Sequence, residues 1–148
     1  MQSAAQSVAQ STVQPGSRSK KFLWVGRVIT GLIAAFMAFD AVIHLLKPAP
    51  VVEAFAKLGF PIRLAVPLGM IELVCVLLYL VPRTSILGAI LLTGYLGGAI
   101  AIQLPTENPF FGEVLFPIYI GVFLWAGIYL RDERLRSMIP WRNERRPQ

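Results

Sequence analysis

Four long apolar runs, each closed by proline or by charge, constrain this chain more than any other feature. They are expected at residues 23–46, 64–81, 86–104 and 114–130. Each falls within the range of about 17–25 residues that crosses a hydrocarbon core with some tilt. In lipid the backbone has no water to bond, so a run of this kind folds as a helix. The predicted fold is therefore all-α: an integral membrane four-helix bundle. Composition agrees, with 55% hydrophobic and 15% charged residues. A soluble chain of this size would have too few charges to cover its surface.

The chain divides accordingly. Residues 1–21, MQSAAQSVAQSTVQPGSRSKK, are small and polar. They lack the apolar core of a secretory signal and are read as a disordered cytoplasmic tail. Residues 22–140 form the four-span domain, and 141–148 a basic cytoplasmic tail. The net charge of +6 does not indicate nucleic acid, because the basic residues flank apolar runs without interleaved aromatic platforms.

Lysine and arginine placement sets the orientation. Arg18, Lys20, Lys21, Arg83, Arg131, Arg134, Arg136, Arg142, Arg145 and Arg146 fall on one side. Lys47, Lys57 and Arg63 fall on the other. Both termini are thus expected in the cytoplasm. Trp24, Tyr79, Tyr129 and Trp141 are expected in an aromatic belt at the inner boundary.

Among the connectors, PRTS (82–85) reads as a tight turn that makes spans two and three an antiparallel hairpin. PTENPFFGE (105–113) reads as a short Pro/Gly/Asn loop. Between spans one and two, Val51, Val52, Phe55 and Leu58 share a face, with Glu53 and Lys57 opposite and Gly59 placed to cap. This predicts a short amphipathic helix in the interface.

Orientation converts sequence position into depth. Asp40 and His44 then lie in the outer half of span one, and Glu72 about two turns into span two, at roughly 12 Å. Gln103 ends span three and Glu113 opens span four. Five polar residues scattered in sequence converge on one level, and they form the candidate polar site. Asp40 and His44, four apart, share a helix face. Glu72 shares its face with Cys75, Val76 and Tyr79. An ionised carboxylate at that depth costs about 2.5–3.5 kcal/mol even on lenient scales. It should pair with His44 or Arg63, or carry a proton. The plainer alternatives stay open: His44 as a helix-end residue, Glu72 as a structural interhelical bond, Glu113 as an N-terminal dipole partner.

Span three carries Gly94 and Gly98 as G-x-x-x-G, beside a second small stripe of Thr93, Gly97 and Ala101. Small residues let helices approach in lipid, within the chain or across a homodimer. Tyr95, between the stripes, needs a partner for its hydroxyl. Cys75 is the sole cysteine and His44 the sole histidine. This excludes an intrachain dithiol, makes a Cys/His metal cluster implausible, and leaves Cys75 as a packing residue; no metal site is expected.

The segments GRVITGLIAAFMAFDAVIHLLKPAPVVEAFAKLGFP (26–61), YLVPRTSILGAILLTGYLGGAIA (79–101) and WAGIYLRDERLRSMIP (125–140) resemble the DoxX-like family of small bacterial membrane proteins. The resemblance covers residues 22–142 and implies a four-helix membrane bundle. Named relatives are associated with a thiosulfate:quinone oxidoreductase and with oxidative-stress complexes, so quinone enters as a cofactor through the resemblance alone. Relatives commonly end the third span with a histidine; here Gln103 stands in that place. Glutamine bonds hydrogen but carries no proton.

The sequence contains no nucleotide loop, haem pair, nucleophile triad or metal cluster that would mark an autonomous enzyme. Three readings remain. The chain is an accessory subunit of a membrane redox system with an outward-facing polar site, a small proton-linked transporter, or a structural membrane partner.

Overall fold

A computed structural model describes residues 20–105, 109–132 and 135 of the chain. Most of the expected N-terminal tail, Trp141 of the expected belt and the basic segment 141–148 lie outside the described residues. The helices are α1 (Lys20–Leu46), α2 (Ala49–Lys57), α3 (Ala65–Leu80), α4 (Ser85–Gln103) and α5 (Phe116–Arg131). Among the described residues, four helical segments are long and apolar enough to cross a membrane. The chain is a multi-pass membrane protein, and its fold is the expected four-helix bundle with one short helix between the first two spans.

Closest neighbours run in a ring: α1 packs on α3 and α5, and α4 packs on the same two from the far side. Connections alternate the helix directions. One end of the bundle holds the α2 connector and the α4–α5 connector (the connector end). The other holds the start of α1, the α3–α4 turn and the end of α5 (the terminal end).

Sequence explains most helix boundaries. α1 begins three residues before the expected 23, since Lys20, Lys21 and Phe22 are compatible with helix and long basic side chains can snorkel beyond the apolar edge. It stops at Lys47, which turns left-handed at φ +52 before Pro48. α2 ends in a Schellman motif. The Phe60 N–H donates to the Phe55 carbonyl at 2.9 Å, the Gly59 N–H donates to that of Ala56 at 3.1 Å, and Gly59 sits at φ +70. Pro67 and Pro117 fall in the first turns of α3 and α5, where no backbone bond is lost.

Two expectations are corrected. Tyr79 is not in an interfacial belt but fully buried, 0% exposed, with its hydroxyl donating to the Leu124 carbonyl at 3.0 Å. Its position on the buried face of α3 outweighs its closeness to the helix end. The segment before α5 is more ordered than a simple loop, with Phe110–Val114 forming one π-helical turn.

Candidate functional site

Gly69 brings α1 and α3 together. A Cβ at this position would lie 2.7 Å from the Ala41 carbonyl oxygen and 2.9 Å from His44 Cβ. Only a bare Cα permits that approach. One turn further along α3, Glu72 then faces α1 at the level of Asp40 and His44. Glu72 is 0% exposed, on the buried stripe that also carries Cys75, Val76 and Tyr79. The helical face predicted for Glu72 is thus the buried face of α3.

His44 Nδ1 is the hub. It lies 3.0 Å from the backbone carbonyl of Asp40, 3.4 Å from Asp40 Oδ2 and 3.8 Å from Glu72 Oε2. A carbonyl oxygen only accepts, so Nδ1 carries the hydrogen in this contact. The i, i+4 pairing of Asp40 with His44 therefore runs chiefly through the backbone of Asp40. Across the bundle, the Tyr95 hydroxyl donates to Glu72 Oε2 at 2.9 Å. This supplies the partner that Tyr95 required, from the α4 face between the two small-residue stripes. The second carboxylate oxygen, Glu72 Oε1, is buried with no hydrogen-bond partner among the described residues.

These groups line a cavity of about 530 Å³ at the connector end. Its walls are apolar and come from every helix. Phe36 and Met37 stand on α1, Phe55 on α2, Leu68 on α3, Leu96 and Ile102 on α4, and Phe116 and Ile120 on α5. The rings of Phe36 and Phe116 meet edge to face at 5.7 Å, and His44 packs against Phe55 at 5.8 Å. The apolar face of α2 thereby covers the polar cluster. An apolar chamber with a few convergent polar groups is the usual form of a small-molecule site.

The five predicted polar residues separate. Asp40, His44, Glu72 and Gln103 line the cavity. Glu113 is exposed in the π-helical turn and is not among the lining residues. Arg63, the other partner considered for Glu72, is exposed in the turn before α3.

Gly94 and Gly98 line the cavity, and a Cβ at Gly94, Gly97 or Gly98 would meet nothing within 4 Å. The intrachain helix seam expected at this stripe lies elsewhere, at Gly26, Gly69, Gly88 and Gly127, where a Cβ would strike neighbouring helices. Gly97 and Ala101 are exposed. The positions that sequence reasoning missed are Gly69, Phe36, Phe55 and Phe116. A lone glycine or phenylalanine in an apolar run gives no signal of what it will face.

Chemically, the cluster offers hydrogen-bond acceptors on two carboxylates, a donor on the imidazole, and a tyrosine that fixes one carboxylate. It can anchor the polar end of an otherwise apolar molecule or hold a proton. Asp40, His44 and Glu72 each offer a donor atom, and these lie within 4.8 Å of one another. Those three residues could hold a cation.

The model of one protein family, described as the DoxX-like family, matches residues 28–127. The match spans the region from the third turn of α1 to the last turns of α5, including every cavity residue. No curated protein and no solved structure matches the chain.

Proposed function

Because the chain belongs to the DoxX-like family, we propose that it is an accessory component of a membrane redox system, and that its own contribution is to bind a small, largely apolar, quinone-like molecule. One observation carries this reading: a cavity of about 530 Å³, apolar on its walls, holds Asp40, His44, Glu72 and Tyr95. An isoprenoid-type molecule with oxygens on its ring would place the ring against Phe36 and Phe116 and a ring oxygen toward the His44 N–H. The redox setting is supported by the resemblance to relatives associated with quinone-linked oxidoreductases.

The cavity opens toward the outer face in this proposal, with both termini cytoplasmic in a bacterial inner membrane. Support comes from the lysines and arginines, which gather at the terminal end. In Cys75→Ser/Glu113→Cys, a membrane-impermeant thiol reagent should reach residue 113 from outside in intact spheroplasts. Labelling only after permeabilisation would reverse the orientation.

The functional test uses the full chain purified in detergent. Lipid extracts of the wild type should contain quinone at a molar ratio near that of the protein, and added decylubiquinone should raise its unfolding temperature. Glu72→Gln and His44→Ala should lose most of both. Equal quinone in the variants would leave the cavity without a role.

Proton-linked transport is the second reading, favoured by the contact of three titratable groups on two helices. It requires substrate-dependent proton flux in liposomes that Glu72→Gln abolishes.

A further inference from the structure

The Asp40–His44–Glu72 cluster has an arrangement that hydrogen bonding alone leaves incomplete. Two carboxylates and an imidazole meet with their donor atoms within 4.8 Å, and among the described residues no lysine or arginine lines their cavity. Glu72 is 0% exposed, yet among the described residues its Oε1 has no hydrogen-bond partner. Buried polar atoms are ordinarily satisfied, and an exception calls for an explanation. Two carboxylates sharing an apolar chamber also repel each other when both are ionised.

We infer that Asp40, His44 and Glu72 form a binding site for one divalent first-row metal ion of the Zn2+ kind. The donor set suits such an ion: one imidazole nitrogen with carboxylate oxygens is a recurring combination for zinc and its neighbours. The spacing suits it as well. An ion about 2.0–2.2 Å from each donor holds neighbouring donors about 3.4 Å apart in a tetrahedron. His44 Nδ1 lies 3.4 Å from Asp40 Oδ2 and 3.8 Å from Glu72 Oε2. To close the site, His44 gives up its 3.0 Å bond to the Asp40 carbonyl and turns toward the carboxylates, with the ion taking the place of the hydrogen on Nδ1.

Charge favours the same conclusion. Two carboxylates, a neutral imidazole and a dication sum to zero, so the loaded cluster avoids burying a net charge in the membrane. Tyr95 is a positioning residue, since its 2.9 Å hydrogen bond to Glu72 Oε2 orients the carboxylate. Three protein donors leave at least one coordination position for an oxygen of a molecule in the cavity. This deepens the reading of the cavity as a binding site but does not depend on the redox setting.

The test uses full-length protein in detergent, stripped with a chelator and titrated with Zn2+ or Co2+. The expected result is about one tightly held ion per chain by elemental analysis, with a Co2+ visible spectrum distinct from the aqueous ion. Glu72→Gln and His44→Ala should weaken Zn2+ at least tenfold. Tyr95→Phe should weaken it about tenfold, at the lower end of what loss of an outer-shell partner costs. Asp40→Asn, altered at a half-exposed side chain, provides a variant with little effect on the core. Glu53→Gln, on the exposed face of α2, should bind as the wild type does. Fewer than one Zn2+ per ten chains in the wild type, or an unchanged affinity in both Glu72→Gln and Asp40→Asn, would overturn the site. Quinone bound by protein that takes no metal would refute the metal and keep the proposed function. Metal without quinone would do the reverse.

Discussion

Apart from Gly69, which joins α1 to α3 beside the cavity, the two ends of this bundle use glycine in opposite ways. At the terminal end glycines close the helices together. A Cβ on Gly26 would lie 2.8 Å from Leu130 Cβ, and one on Gly127 would lie 2.7 Å from the Thr30 hydroxyl. One on Gly88 would strike the backbone of Tyr79. Around these contacts the Arg131 guanidinium donates to the Tyr79 carbonyl at 3.0 Å and lies over the Tyr79 ring at 5.6 Å. At the connector end, Gly94 and Gly98 have open space beside them and the helices part around the cavity. Lipid offers no hydrophobic drive for helix association, so close contact is what holds the helices together at the terminal end. The terminal end is closely packed, and the connector end holds the cavity.

Substitutions can break that contrast. Gly88→Ala has the largest expected effect on stability. Its methyl meets backbone, which cannot yield, so about 1–3 kcal/mol should be lost, read as a fall in unfolding temperature in detergent. Gly94→Ala and Gly98→Ala should leave the unfolding temperature within error. A matching fall in those two would place a helix seam where the account has a cavity.

Next in size is Gly98→Leu, which fills the chamber. It should abolish the decylubiquinone-dependent rise in unfolding temperature while the protein stays folded. Gly69→Ala lies between the two classes, because Gly69 is a close contact that also aligns His44 with Glu72. It should weaken both folding and quinone binding, and a variant impaired in neither would show that the α1–α3 approach does not set the site. The smallest effect is expected from Tyr79→Phe. Loss of its bond to the Leu124 carbonyl should cost about 0.5–1.5 kcal/mol of stability and leave quinone binding unchanged.

The bundle was legible in the sequence because lipid imposes length and polarity on every span. Boundaries marked by Lys47-Pro48, Gly59-Phe60 and Pro82-Arg83 follow from local chemistry. The level was legible in part: depth grouped Asp40, His44, Glu72, Gln103 and Glu113, of which the first four line the cavity and Glu113 does not. Partner choice was less so. Tyr95 could be identified as needing a partner, but which carboxylate it reaches depends on how α3 and α4 rotate about their axes. Near-uniform apolarity around each span leaves that rotation unmarked. For the same reason Tyr79 read as a belt residue, and Gly94 with Gly98 read as a seam. A G-x-x-x-G pattern records that a face is small, and the neighbouring helices decide whether it is covered.

The central claim is that the connector-end cavity binds a quinone-like molecule through its polar cluster. Decylubiquinone titrations followed by thermal unfolding test it most directly, because a ligand that binds only the folded state stabilises it in proportion to the logarithm of its excess over Kd. Wild-type protein and Tyr79→Phe should show the same upward shift from their own baselines, while Gly98→Leu and Glu72→Gln show none. An equal shift in all four, or none in the wild type, would contradict the account.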